Sequence, residues 1–274
     1  MSTQTRKSSD NYIYRATNRQ KGRRVAVSPE NSAMRHLVYA RIILDPEEPR
    51  ADFNTGTYET GLICLGGSCR IKAGGETVHI DRHDSVYIPR DTEVEITTAD
   101  GVDLVECSAE VENRYPLRVV RYEEIERDAA LHFTTGGPAN TRTINIALGK
   151  NIEAGRIVAG FTTSEPGNWT SWPPHEHAAM LEELYVYYDM PPPAFGVQFV
   201  YTDPDEPEFV GVVRDGDAVV MPRGFLPNVS VPGHTISFVW LMAAHREVED
   251  RQFGVVTVQP GFDKSGTGLE ASRK

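Results

Sequence analysis

Two histidines stand two residues apart in Pro173-Pro174-His175-Glu176-His177, and Leu181-Glu182-Glu183-Leu184-Tyr185-Val186-Tyr187 follows. Neutral imidazole and carboxylate are ligands for zinc, iron, manganese or nickel, and three protein ligands leave coordination positions open for a substrate. Side chains alternate faces along a strand, so His175 and His177 point one way and Glu176 the other. By the same parity Glu183, Tyr185 and Tyr187 share a face of the next segment. A hairpin between the two segments is expected to bring two imidazoles and one carboxylate together. An isolated His-X-His is a weak signal, equally met by two ordinary loop histidines. Here the carboxylate and the β pattern around it add weight.

The elements that must position these groups read as short strands. His36 to Leu44, Gly61 to Leu65, Cys69 to Lys72, Thr77 to Ile80, Asp84 to Pro89, Val94 to Thr97 and Val102 to Ala109 form a first series, punctuated by Gly66-Gly67 and Gly74-Gly75. Such spacing belongs to a barrel or sandwich. Arg114 to Thr141 breaks the pattern, with a short helix expected over Tyr122 to Leu131. A second series follows at Arg142 to Leu148, Arg156 to Thr162, Leu184 to Tyr188, Gly196 to Tyr201, Glu208 to Val213, Ala218 to Met221 and Thr235 to Ala243. Asp84-Ser-Val-Tyr-Ile-Pro-Arg90 is echoed by Asp217-Ala-Val-Val-Met-Pro-Arg223. A repeat this long means a duplicated domain rather than a solenoid. The expected layout is a polar N-terminal arm at 1–30, a first barrel at 31–118, a connector at 119–140, a second barrel at 141–260 and a tail at 261–274. The basic arm (Arg6, Lys7, Arg15, Arg19, Lys21, Arg23, Arg24) is read as solvated or as a strand added to a partner subunit.

The 274 residues carry a formal net charge of −11, which argues against a nucleic-acid partner. A small anionic substrate needs only one or two local cations. Cys64, Cys69 and Cys107 have no metal-ligand spacing and read as buried thiols. With no disulfide framework, signal core or bilayer-length apolar stretch, a cytoplasmic protein without membrane contact is expected.

The second half resembles a known family. Gly167-Asn168-Trp169 leads into the histidine motif. Leu181-Glu182-Glu183, Phe195-Gly196-Val197-Gln198, Tyr201-Thr202-Asp203, Arg214-Asp215-Gly216-Asp217 and Pro222-Arg223-Gly224 follow. This set is similar to the bicupin sugar-acid isomerases, which include 5-deoxyglucuronate isomerase of inositol catabolism and the ketol-isomerase of pectin-derived uronates. The resemblance is strongest from Thr141 to Ala243. It implies an all-β fold of two tandem cupin barrels (double-stranded β-helices, jelly-roll-like), with a divalent metal in the second barrel only. Zinc or manganese is expected first, iron or nickel next. The implied ligands are His175, His177 and Glu183, with Glu182 the alternative that strand parity disfavours. The first barrel has no histidine between Gly56 and Cys64 and is expected to be structural. The family's fourth ligand, a histidine after the Pro-Arg-Gly turn, is replaced by Leu226. A three-ligand site with extra water, a fourth ligand from elsewhere, or loss of the metal would each answer that change.

The resemblance implies a metal-dependent aldose–ketose isomerase acting on a deoxy-uronate through an enediol. Gln198 and Tyr187 are candidates for binding sugar hydroxyls, against a sheet-surface glutamine and an aromatic core. Arg223 is the candidate for the substrate carboxylate, with Arg142 as a second choice and a rim arginine as the plain alternative. No catalytic base is evident. Two other readings stay open: another metal-cupin enzyme such as an oxygenase, or a non-catalytic sugar-binding bicupin. A homo-oligomer is expected.

Overall fold

The computed structural model describes residues 11–262. Among them strands dominate, and the one α-helix is Tyr122–Arg127, four residues shorter than its pattern predicted. Each half of the chain builds one large and one small antiparallel sheet, and the two halves follow the same plan.

The first large sheet runs in the order Arg118–Val120, Ser85–Ile88, Tyr58–Gly67, Val102–Glu110, Val38–Leu44, Gly22–Val27. Its small partner runs Arg50–Asn54, Glu93–Thr97, Cys69–Ala73, Glu76–Ile80. Gly74 and Gly75, both at positive φ (58° and 84°), turn the chain between the last two, where a side chain would strain the backbone. The second large sheet runs Ile13–Tyr14, Ala218–Met221, Leu181–Tyr187, Ser237–Ala244, Ile157–Ser164, Arg142–Leu148, His132–Thr135. Its small partner runs Trp169–Thr170, Asn228–Ser230, Gly196–Val200, Phe209–Val213. The order confirms the duplication and the tandem double-stranded β-helix architecture.

Three apolar cores follow from alternation. One fills the first barrel around Ile42, Leu62, Ile71, Ile88 and Leu104. One fills the second around Tyr185, Tyr187, Leu226, Phe238 and Trp240. The third lies between the two large sheets and joins Tyr39, Ile63 and Tyr87 to Leu148, Leu184 and Leu241. Every residue of Leu181–Tyr187 is buried because both its faces are covered. Glu183, Tyr185 and Tyr187 face their own barrel, whereas Leu184 and Val186 pack in the core between the barrels.

Glu182 faces the first half. Its Oε1 accepts the backbone N–H groups of His36 and Leu37, and its Oε2 that of Arg35, each at 2.7 Å. Glu59 does the reverse. Its carboxylate accepts the N–H groups of Gly155, Arg156 and Ile157 at 2.7, 2.6 and 2.7 Å, and the Tyr87 hydroxyl at 2.7 Å. Each barrel thus supplies one buried carboxylate that gathers three consecutive donors where a strand of the other begins. Buried donors left unpaired are costly, so these acids lock the barrels together.

Several expected boundaries shift. The arm placed at 1–30 is not a free tail over its described part. Gly22–Val27 pairs with Val38–Leu44 in the first sheet, and Ile13–Tyr14 pairs with Ala218–Met221 of the second barrel within the same chain. Polar, Arg-rich segments gave no apolar alternation, yet an edge strand needs only one covered face. The connector contributes a strand to each barrel, Arg118–Val120 and His132–Thr135. Residues 1–10, with Arg6 and Lys7, and the tail from 263 onward lie outside the described residues. Among the described residues no helix is long and apolar enough to cross a membrane. Cys64, Cys69 and Cys107 are buried and free, and burial pushes the thiols of Cys64 and Cys69 up to about 12.

Candidate functional site

His175, His177 and Glu183 line one cavity of about 50 Å³ inside the second barrel, together with Arg142, Ser171, Tyr185, Trp240 and Phe253. The route to that meeting differs from a simple hairpin. Only His175–Glu176 is a strand, and it pairs with Thr257–Val258 near the end of the described chain. A turn at 178–180, closed by the Met180 and Leu181 N–H groups donating to the His177 carbonyl, carries the chain into Leu181–Tyr187. Glu183 enters the barrel from there, opposite Met242 and Met221.

The two imidazole rings lie edge to face, centroids 5.2 Å apart. His175 Nδ1 is 2.8 Å from the Pro173 carbonyl, an acceptor only, so Nδ1 carries the proton and Nε2 keeps its lone pair. His177 Nε2 stands 3.4 Å from Glu183 Oε2. Neither Glu183 Oε2 nor His177 Nδ1 makes a hydrogen bond. Burial dominates the electrostatics. It lowers His175 to about 4, with Arg142 adding to the fall, and His177 to about 3, with His175 adding to it. It raises the Glu183 carboxyl to about 8, opposed in part by the Tyr185 hydroxyl. Without a cation the pocket holds neutral imidazoles and a carboxyl that keeps its proton to near pH 8.

These donor types, and the two buried atoms without partners, fit a divalent cation. The spacing is looser than chelation needs: among the described residues no three His, Cys, Asp or Glu side chains are gathered closely enough to hold an ion as they stand. Leu226 is 2% exposed, packs in the barrel core and offers only its carbonyl, which accepts from Gln198 Nε2 at 3.0 Å.

The remaining candidates separate. Gln198 is fully buried, and its Oε1 accepts the Tyr187 hydroxyl at 2.5 Å and Asn228 Nδ2 at 3.2 Å. Tyr187 and Gln198 therefore satisfy each other, and neither lines the cavity. Arg223 lies at the surface, 68% exposed and 3.9 Å from Glu208, also away from the cavity. The Pro-Arg turn that carries it sits at the barrel rim, as does Arg90 in the other half, whose guanidinium bonds Asp91 and the Val111 carbonyl. Arg142 takes the inner position instead. Burial lowers it to about 10, so it stays charged at neutral pH, and it donates to the Asn140 and Trp172 carbonyls at 2.9 and 2.7 Å.

Sequence reasoning did not place Ser171, Trp240 or Phe253 in the pocket. Ser171 shares a 2.7 Å hydrogen bond with the Tyr185 hydroxyl. Trp240 was legible, because Phe238, Trp240 and Met242 alternate inward along one strand. Phe253 stacks on Trp240 at 4.8 Å from a loop beyond the last long strand, and no local pattern announces it.

The profile described as the KduI/IolB family matches residues 12–255. A 5-deoxy-glucuronate isomerase from Bacillus velezensis is 31% identical over 58% of this chain and 60% of its own length. One from Geobacillus kaustophilus is 27% identical over 82% of this chain and 85% of its own. A 4-deoxy-L-threo-5-hexosulose-uronate ketol-isomerase from Caldicellulosiruptor bescii is 26% identical over 77% of this chain and 76% of its own. The chain spans about three-fifths of the length of the first two relatives it matches. Among solved structures, an IolB-like protein from Salmonella typhimurium superposes with a TM-score of 0.81 at 23% identity, over 91% of this chain and 97% of that one. An oxalate decarboxylase variant from Bacillus subtilis superposes at 0.62 and 12% identity, covering 90% and 79%. These two likenesses establish the shared fold. With the profile spanning both barrels and the histidine pocket in the second, the chain belongs to the KduI/IolB family.

Proposed function

We propose that the protein is a metal-dependent aldose–ketose isomerase of a deoxy-uronate, working in the second-barrel pocket. The observation that carries this reading is the convergence of His175, His177 and Glu183 with the buried cation of Arg142 on one cavity, in a family whose named relatives include 5-deoxy-glucuronate isomerases and a deoxy-uronate ketol-isomerase. His175, His177 and Glu183 would hold the metal, with zinc or manganese favoured by the donor set. When bound, such a metal stabilises the negative charge that develops on adjacent oxygens during enolisation. Arg142 binds the substrate carboxylate and fixes its orientation, a task its planar fork suits. Tyr185, hydrogen-bonded to Ser171, holds a hydroxyl proton beside the reacting oxygens, and burial keeps that proton on the oxygen. Phe253 over Trp240 keeps water out.

A cavity of about 50 Å³ is well below the 300–1,000 Å³ of ordinary ligand pockets, so substrate entry requires the pocket to open. Phe253 lines the cavity and begins the segment that runs on to Phe262. That segment is held by Thr257–Val258 pairing with His175–Glu176, by Gln259 bonding to Tyr201, and by Phe262 edge-on to Trp172. A homo-oligomer in the cytoplasm is part of the same proposal.

The test is turnover. Protein loaded with zinc or manganese is incubated with 5-deoxyglucuronate and, separately, with 4-deoxy-5-hexosulose-uronate, and the products are followed by NMR. Interconversion that stops on chelation supports the reading. Metal-loaded protein that turns over neither compound refutes it. A second reading, a sugar-acid-binding protein without turnover, is favoured by Leu226 at the fourth-ligand position. Binding of the uronate to a metal-free, inactive protein would establish that alternative.

A further inference from the structure

The strand pairings superpose the two barrels residue by residue. Glu59 matches Glu182, so the next residue on each strand is Thr60 in one barrel and Glu183 in the other. Ser108 lies opposite Thr60 as Met242 lies opposite Glu183, and Glu106 takes the place of Trp240. At this equivalent place the first barrel is not filled. It has a cavity of about 260 Å³ lined by Arg23, Phe53, Tyr58, Thr60, Glu106 and Ser108.

The wall of this cavity is built with polar groups. Glu106 is fully buried. Its two oxygens accept Arg23 Nε and Nη2 at 2.6 and 2.7 Å, and Oε1 also accepts the Ser108 hydroxyl at 3.0 Å. Thr60 and Ser108 share a hydroxyl–hydroxyl contact of 3.0 Å. The Arg23 guanidinium lies 4.4 Å from the centre of the Phe53 ring. Burying an ion pair gives little net stability, and apolar packing would hold a barrel as well. Chemistry at the cavity wall gives the pair another use.

We propose that the first barrel carries a second ligand site, for a neutral polyhydroxylated molecule of monosaccharide size. The volume lies just below the range of about 300–1,000 Å³ typical of drug-sized ligands, which admits one sugar ring and not an oligosaccharide. Tyr58 offers an aromatic surface for the C–H face of a sugar ring, beside Phe53, which Arg23 covers on one side. Ser108 spends its proton on Glu106 and Thr60 spends its own on Ser108, so both hydroxyls face the cavity as acceptors for sugar O–H groups. The Arg23 charge is spent on Glu106, and Glu30 at the rim adds a negative charge, so the site repels the anions that Arg142 attracts in the second barrel. The site needs no metal and does not depend on the isomerase reading.

The test is saturation-transfer NMR and calorimetry on the full chain with D-glucose, D-mannose, D-galactose and D-mannitol as probes, and D-glucuronate as the anionic comparison. At least one neutral probe binds with a Kd of about 1 mM or tighter, near −4 kcal/mol. Thr60→Val and Ser108→Ala, each checked by thermal melting, weaken it by up to about tenfold, the value of one neutral hydrogen bond. Glu183→Gln leaves it unchanged. The proposal is overturned if no neutral probe binds at about 50 mM, far above that Kd. It is also overturned if D-glucuronate is preferred, or if binding is lost in Glu183→Gln and kept in both hydroxyl variants.

Discussion

Two adjacent glutamates on one strand, Glu182 and Glu183, face opposite sides of a sheet and should fail in opposite ways. Glu182→Gln keeps the volume and one oxygen. The amide nitrogen must then face either the Arg35 N–H or the His36 and Leu37 pair, donor against donor. With the nitrogen at Arg35 one charge-assisted bond is lost outright, and two others become neutral. Bonds to a charged group contribute about 1.5–3 kcal/mol and neutral ones about 1, so the expected destabilisation is roughly 3–5 kcal/mol. For a chain of this size each kcal/mol shifts the melting temperature by about 2–4 °C, giving a fall of about 10 °C. Metal uptake by the folded protein should be unchanged, because Glu182 does not line the cavity.

Glu183→Gln should do the reverse. Near pH 7 the metal-free carboxyl keeps its proton, and the amide is a close neutral replacement. Because the unfolded chain ionises Glu183 at pH 7 while the fold holds its proton, the neutral amide removes a linkage cost of roughly 3 kcal/mol, and the melting temperature of chelated protein should rise. Metal binding should be lost, as read by titration and by elemental analysis. A Glu182→Gln variant that melts like wild type would refute the anchoring argument. A Glu182→Gln variant that loses metal while Glu183→Gln keeps it would reverse the assignment of the two acids. Glu59→Gln provides the mirror experiment, with the same expected loss from the other barrel.

The pocket also sets a pH profile. In chelated protein the folded His175 and His177 bind protons less readily than the unfolded chain, so between about pH 4 and 6.5 they make stability rise with pH; Glu183 binds its proton more readily when folded, so between about 4.5 and 8 it makes stability fall. The two trends give a maximum near pH 6.5 and a decline of about 1.4 kcal/mol per pH unit above it, and melts from pH 6.5 to 8 that coincide for wild type and Glu183→Gln would contradict it. Phe253→Ala removes the ring stacked on Trp240, which should cost about 1–2 kcal/mol and speed metal removal by a chelator; an unchanged removal rate would show that the segment does not cover the site. Leu226→His should tighten metal binding by tenfold or more if the new imidazole reaches the ion. A lower melting temperature, by about 1–3 kcal/mol of buried polar cost, without tighter binding would place position 226 outside the coordination sphere.

Much of the fold was legible because alternation reports burial. Arg142–Leu148 and Ala218–Met221 fell where their residues predict, since each is covered on a regular face. Gly22–Val27 was missed because its sequence, GRRVAV, presents charges on an edge strand where one of them, Arg23, is held by a partner 83 residues away. Spacing and parity pointed His175, His177 and Glu183 toward one place, and all three line one cavity, reached through a turn rather than the expected hairpin. Gln198 and Arg223 were not placed by local sequence. Whether a polar side chain points into a cavity or into a buried network depends on what stands opposite, and Asn228, Tyr187 and the Leu226 carbonyl all stand opposite Gln198. The same limit hid Phe253, whose partner is thirteen residues back on another element.

The duplication explains why chemistry and structure occupy neighbouring positions. At Glu59 and Glu182 the carboxylate answers three backbone donors supplied by the opposite barrel. Backbone donors are present whatever the side chains, so any replacement leaves them unpaired, and both halves carry the same acid there. One residue further on, the strand turns to its own cavity, where nothing in the backbone dictates a partner. Thr60 and Glu183 fill that place with a hydroxyl and a carboxyl, and the residues opposite them, Ser108 and Met242, differ as freely. A single sheet position therefore separates what holds the two barrels together from what each can bind. Substitutions on the cavity face can change ligand while the join between the barrels is left intact.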